Sequence, residues 1–160
     1  MDIFDEEILK FWKALQINDV QYIMIGGYAT NLHGYNRFTG DLDLWLHDTL
    51  NNRKLLRQVF ISCDLGDYPM LEYMQFVPGW TEFHLNNGLR LDILTNMKGL
   101  EDYTFEECLQ MASVADIDGI DVPFLHINQL ITNKQVVNRP KDQIDVLALD
   151  HIRKLRNESK

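Results

Sequence analysis

Two carboxylates one residue apart, Asp41 and Asp43, follow a double glycine, Gly26-Gly27, that closes a mostly apolar run. On a strand the two acids share a face with Trp45, while Leu42, Leu44 and Leu46 share the other, because side chains alternate. Like charges at that spacing repel unless a cation sits between them, and hard divalent ions such as Mg2+ take carboxylate oxygens together with substrate phosphates. Glycines after a strand let a ligand approach the backbone. The following helix offers unpaired N–H groups and the positive end of its dipole, which suit phosphate. Each signal has a plain structural alternative, an ordinary strand-to-helix turn for the glycines and an exposed strand start for the acids. In this order they are more specific than either alone.

The elements that must position these residues are a strand over 20–25, a helix over about 28–34 closed by Gly34-Tyr35-Asn36, a polar loop, and a second strand opening at Asp41. The loop carries Arg37, which can reach a triphosphate from just ahead of the acidic pair, and Thr39, whose hydroxyl could instead bond the loop's own backbone. His33, at the helix end, reads as a packing or capping residue. Upstream, Ile8, Phe11, Trp12 and Leu15 recur at helical spacing behind an acidic first turn, predicting a packing helix from Asp5 to about Gln16. Downstream, 49–62 predicts a helix with Leu55, Leu56, Val59 and Phe60 inward and Arg53, Lys54 and Arg57 in solvent. Cys63 to Pro78 reads as an irregular connection with one short helix at 70–75.

Residues 80–95 predict a hairpin around Asn86-Asn87-Gly88. A two-residue loop would oppose Phe83 to Asp92 and mix the faces. A three-residue loop at 86–88, with Gly88 left-handed, opposes Leu85 to Leu89, Phe83 to Leu91, His84 to Arg90 and Glu82 to Asp92, and so separates apolar from polar. Asp92 then lies on the polar face, where it either joins the acidic pair or pairs with Arg90. Thr104 to Glu107 forms a capping box ahead of a helix to about Ala112, and Val114 to Leu125 reads as a hairpin over Asp118-Gly119. Helices follow over 128–137, carrying Lys134, and over 140–156, opened by Pro140 with Ile144, Leu147 and Ile152 inward.

These blocks resemble the nucleotidyltransferase superfamily with the DNA polymerase beta type of catalytic core, nearest the minimal bacterial nucleotidyltransferases and the nucleotidyltransferase toxins of abortive-infection systems. The matching residues are Gly26-Gly27, Asn31 to Gly34, Arg37, Thr39 and Asp41-Leu42-Asp43, then Leu91 to Thr95, then Leu130 to Lys134 with Arg139 to Asp142 and Asp145. The resemblance implies an α/β (α+β) nucleotidyltransferase fold, a mixed β-sheet flanked by helices, in one domain over 1–160. It implies transfer of a nucleoside monophosphate from a nucleoside triphosphate, ATP among them, to a hydroxyl of a protein, a tRNA or a small molecule. The implied cofactor is Mg2+, as two ions, with Mn2+ as an alternative. Asp41, Asp43 and Asp92 would hold the metal, and Asp92 would also draw the proton from the acceptor. Gly26, Gly27, Arg37 and Thr39 would cradle the triphosphate, and Lys134, ahead of Lys141, would neutralise it. Lys141, Asp142 and Asp145 are expected to cap and pair locally in the last helix.

Gly27 departs from the many members with serine at that place, and the chain is shorter than toxin relatives with a further C-terminal domain. The competing function is a non-catalytic nucleotidyltransferase-like regulator or antitoxin that binds a nucleotide or a partner protein. A toxin–antitoxin role would supply such a partner in either case.

The chain has 160 residues, 46% hydrophobic and 24% charged, in keeping with a soluble globular protein able to bury a core. Cys63 and Cys108 are the only cysteines, too few for a disulfide framework or a four-cysteine zinc site. An acidic start and no apolar run of spanning length predict a cytoplasmic protein away from membranes. The net charge of −9 argues against broad nucleic-acid binding. It is unevenly placed: residues 1–133 hold 8 Lys and Arg against 20 Asp and Glu, whereas 134–160 hold 7 against 4. The basic end could meet a phosphate-bearing substrate or simply be solvated.

Overall fold

A computed structural model describes residues 5–73 and 80–158. Asp5 caps α1 (Glu6–Ile17) by accepting from the Glu7 N–H at 3.0 Å, and Ile8, Phe11, Trp12 and Leu15 line its buried side. The chain leaves α1 through a left-handed Asp19, with the Val20 N–H donating to the Leu15 carbonyl at 3.0 Å. The Gln21 N–H donates to Asn52 Oδ1 at 2.8 Å, and β1 is Tyr22–Ile25, shorter than its apolar run predicts. The helix α2 (Gly26–His33) starts on the first glycine, about two residues early. It is followed by β2 (Asp41–Leu46), α3 (Leu50–Ser62) and α4 (Met70–Tyr73). Then come β3 (Trp80–His84), β4 (Arg90–Leu94), α5 (Phe105–Met111), β5 (Ser113–Ile117), β6 (Ile120–Phe124), α6 (Ile127–Val137) and α7 (Pro140–Glu158). The part of the expected 63–78 connection at 74–78 lies outside the described residues.

The strands form one mixed sheet in the order β3-β4-β2-β1-β6-β5. Parallel pairing of β2 with β4 and of β1 with β6 is combined with antiparallel neighbours elsewhere. The β3–β4 hairpin has the three-residue loop: Phe83 opposes Leu91, Glu82 opposes Asp92, the Leu85 N–H donates to the Leu89 carbonyl at 2.9 Å, and Gly88 has φ +85. Pattern separation thus selects the register. In a separate, parallel pairing β4 lies against β2 with Asp92 directly opposite Asp43.

Leu42, Leu44, Leu91 and Ile93 are buried on one face of the sheet. Aromatic rings from α1, α3 and β3 pack together over it, with Phe11–Phe60 and Phe60–Phe83 centroids 6.5 and 4.8 Å apart. On the opposite face, by alternation, stand Asp41, Asp43, Arg90 and Asp92. Further along it Trp45 is closed off edge-on by Phe105 at 5.2 Å and donates to the Thr95 carbonyl at 3.3 Å. Among the described residues no helix is long and apolar enough to cross a membrane.

Two expectations are corrected. The inward face of α7 carries Asp142, Asp145 and Leu149, whereas Ile144 and Leu147 are 57% and 74% exposed; Ile152 alone of the expected trio is partly buried against the core. The rotation follows the cations described below, the buried Lys134 and the partly buried Arg37 among them, toward which the two aspartates turn inward. On α3, Arg53 and Arg57 are held by acids rather than left to solvent, Arg53 by Asp48 at 2.8 Å and Arg57 by Asp67 at 2.6 Å and Glu72 at 3.3 Å. The acids come from flanking loops and, for Glu72, from α4, none of which helical spacing within α3 registers.

The orientation of α7 makes a measurable contrast. Leu149→Ala empties a site that is 0% exposed and is expected to cost ~2–5 kcal/mol in urea denaturation. Leu147→Ala, at 74% exposure, is expected to change stability by less than ~0.5 kcal/mol. Equal costs would show that α7 presents a different face.

Candidate active site

The glycine turn is shaped by what lies against it. Gly26 is left-handed at φ +70, and a Cβ there would collide with the Asp43 carboxylate. A Cβ on Gly27 would overlap Thr39 Oγ1 and lie 3.3 Å from Arg37 Nη1. This gives the absence of serine at position 27 a physical reason, since the Thr39 hydroxyl already fills the space. Thr39 Oγ1 donates to the Asp41 carbonyl at 3.3 Å, the local backbone bond open to it from sequence. At the start of α2, Ile25 occupies the capping position with no side-chain acceptor, so no cap competes with a ligand for the first-turn N–H groups.

Asp43 and Asp92 face each other across parallel strands, with Asp41 one pleat away opposite Arg90. Burial, then the charges of Asp92 and Asp41, push the Asp43 carboxyl up to about 7, partly opposed by Lys141. Asp92 is 6% exposed and accepts from Arg90 Nε at 2.9 Å, with Glu82 at 3.6 Å on the same guanidinium. Asp92 is thus the partner of Arg90, and it also stands opposite Asp43.

Among the described residues no three acidic, His or Cys side chains form a ready-made cation cage. A Mg2+-type ion does not require one, because it keeps waters and binds through one or two carboxylates plus substrate phosphates. The Asp43–Asp92 pair, set opposite each other on neighbouring strands, is a donor set of that kind, and these residues fit the ion.

The cationic wall comes from the α2–β2 loop, α6 and α7. Arg37 Nε and Nη2 donate to the two oxygens of Asp145, both at 2.7 Å, while Nη1 donates to the Phe38 carbonyl at 2.9 Å. Lys134, 4% exposed, donates to Asp145 at 2.8 Å and lies 3.8 Å from Asp142. The expectation that Asp145 pairs locally in the last helix is thus overturned, because its partners come from the α2–β2 loop and α6. Asp142 does pair locally, accepting from the Arg139 side chain at 2.7 Å and its N–H at 3.0 Å. Burial raises both carboxyls, but hydrogen bonds from Arg139 to Asp142, and from Arg37 and Lys134 to Asp145, outweigh it and hold both below their ordinary value. Lys141 is exposed.

Gly26, Gly27, Arg37, Thr39, Asp41, Asp43, Asp92, Lys134 and Lys141 all line one cavity of about 780 Å³, within the usual range for ligand sites. Sequence reasoning missed Asp145 as part of this wall. Its one available signal is the 142, 145, 149 spacing, which puts two acids on the face of a buried leucine.

Residues 5–160 match the model of a family described as nucleotidyl transferase of unknown function (DUF2204). No curated protein matches the sequence. Among solved structures, the lincosamide antibiotic adenylyltransferase LnuA in its lincomycin-bound form is 16% identical with a TM-score of 0.63, over 92% of this chain and 97% of that one. An antigenic nucleotidyltransferase-like protein from Paracoccidioides brasiliensis is 16% identical with a TM-score of 0.53, over 91% and 76%. At such identities the likeness is one of fold, and it is the fold that the sequence blocks resemble.

The Asp43 shift fixes a sign. A carboxyl raised from 3.8 to about 7 binds more protons folded than unfolded, so its stabilising contribution is full below about pH 4 and is lost as pH rises through about 7. In chelator, wild-type Tm should fall over that window more steeply than the Tm of Asp43→Asn, and Mg2+ at about pH 8 should raise only the wild-type value. Parallel Tm profiles by calorimetry would contradict this.

Proposed function

The chain belongs to a family of nucleotidyl transferases of unknown function, and from that premise we propose that it moves a nucleoside monophosphate from a nucleoside triphosphate to a hydroxyl acceptor at the β2–β4 acids. The observation that carries this reading is the register that sets Asp43 against Asp92 beside the left-handed turn of Gly26.

On this reading the triphosphate lies along the Gly26-Gly27 turn, with Arg37, Thr39 and Lys134 beside it and Lys141 at the open side. Asp41, Asp43 and Asp92 would hold Mg2+, which would supply positive charge at the attacking and leaving oxygens. Asp92 accepts the proton of the acceptor hydroxyl, whose oxygen forms a bond to the α-phosphorus as the bond to the pyrophosphate oxygen breaks. Arg90 holds Asp92 in place for that transfer. The fold is shared with an adenylyltransferase whose structure contains lincomycin, which supports ATP as a donor and a small alcohol as an acceptor, beside a protein or tRNA hydroxyl. A toxin role with an antitoxin partner is supported by the sequence resemblance alone.

Incubation with each labelled nucleoside triphosphate, Mg2+ and a cell extract should label one acceptor class and release pyrophosphate. Asp92→Asn should slow transfer by at least ~100-fold, the low end of general-base contributions, while nucleotide affinity stays within roughly tenfold. A variant that loses stability but keeps its single-turnover rate would reduce Asp92 to the partner of Arg90.

A further inference from the structure

Asp145 is 0% exposed, and its three short hydrogen bonds go only to the two cations assigned above to the triphosphate. Arg37 sits on an irregular loop and Lys134 in α6, so one carboxylate on α7 ties together three separate elements. We propose that Asp145 is a positioning residue for polyphosphate: it fixes Arg37 and Lys134 in a single geometry before the ligand arrives.

The detailed geometry suits that role. With Nε and Nη2 turned to Asp145, Arg37 keeps Nη1, which also donates to the Phe38 carbonyl at 2.9 Å, beside the glycine turn, 3.3 Å from where a Cβ on Gly27 would lie. Lys134 spends one of its three ammonium donors on Asp145, and the residue lines the cavity. Two long side chains held in place lose less freedom when a ligand binds. Fold stability is a poor reason for the arrangement, because a buried ion triad is commonly no more stabilising than apolar residues of similar size.

The inference rests on reading Arg37 and Lys134 as triphosphate ligands. It makes a prediction opposite in sign to simple charge counting. Neutralising Asp145 leaves the wall more cationic, so a carboxylate that only cancels charge would weaken polyanion binding and its removal would strengthen it. A positioning carboxylate does the reverse.

Binding of inorganic tripolyphosphate with Mg2+ is to be measured by calorimetry on wild type, Arg37→Ala, Lys134→Ala, Asp145→Asn and the Lys134→Ala/Asp145→Asn double variant, with stoichiometry reporting the folded fraction. Asp145→Asn should weaken binding at least tenfold per folded molecule, and by clearly less in the Lys134→Ala background. Equal or tighter binding by Asp145→Asn, with both alanine variants weakened, overturns the positioning role alone. Alanine variants that bind like wild type overturn the ligand reading and this inference with it. Should Asp145→Asn fail to fold, Arg37→Lys keeps the charge but loses the bidentate pair. At least fivefold weaker binding by that variant supports the role, and unchanged binding overturns it.

Discussion

Two carboxylates set side by side on neighbouring parallel strands and shielded from water repel each other, so ionising both costs free energy that a cation between them would relieve. That constraint governs the β2–β4 face, where Asp43 opposes Asp92 and its carboxyl is pushed up to about 7. The surrounding parts hold the frustrated pair in place. The 86–88 loop sets the register of β4 against β3, the left-handed Gly26 lets the backbone pass against Asp43, and Arg90 Nε donates to Asp92 Oδ1 at 2.9 Å.

The cavity has two walls of opposite sign. The sheet contributes acids, and the α2–β2 loop with α6 and α7 contributes cations. A divalent ion suits the first and a polyphosphate the second, and a nucleoside triphosphate carrying its metal satisfies both at once. The local arrangement reconciles a net charge of −9 with the proposed anion site. Charge is segregated by wall, and the net value hides it.

Period-2 alternation placed Asp41 and Asp43 on one face from sequence, and pattern separation placed Asp92 on the polar face of its own hairpin through a three-residue turn. Those features are local, whereas the pairing of β4 with β2 that brings Asp92 opposite Asp43 was implied only by the family resemblance. The face of α7 was not legible, because Asp142 and Asp145 point inward to partners that include Lys134 and Arg37, while Ile144 and Leu147 point out. Hydropathy alone assigns the opposite orientation. The glycine at 27 likewise becomes intelligible only once the fold brings Thr39 and Arg37 against it. In each case the missing information is a contact between residues distant in sequence.

The acidic pair as a cation site can be tested directly by electron paramagnetic resonance of Mn2+ with a non-hydrolysable nucleoside triphosphate, comparing wild type with the folded Asp41→Asn/Asp43→Asn variant. Nucleotide-dependent loss of the free Mn2+ signal in the wild type, absent in the variant, is the predicted result. The same loss in both proteins would contradict the assignment of the metal to β2.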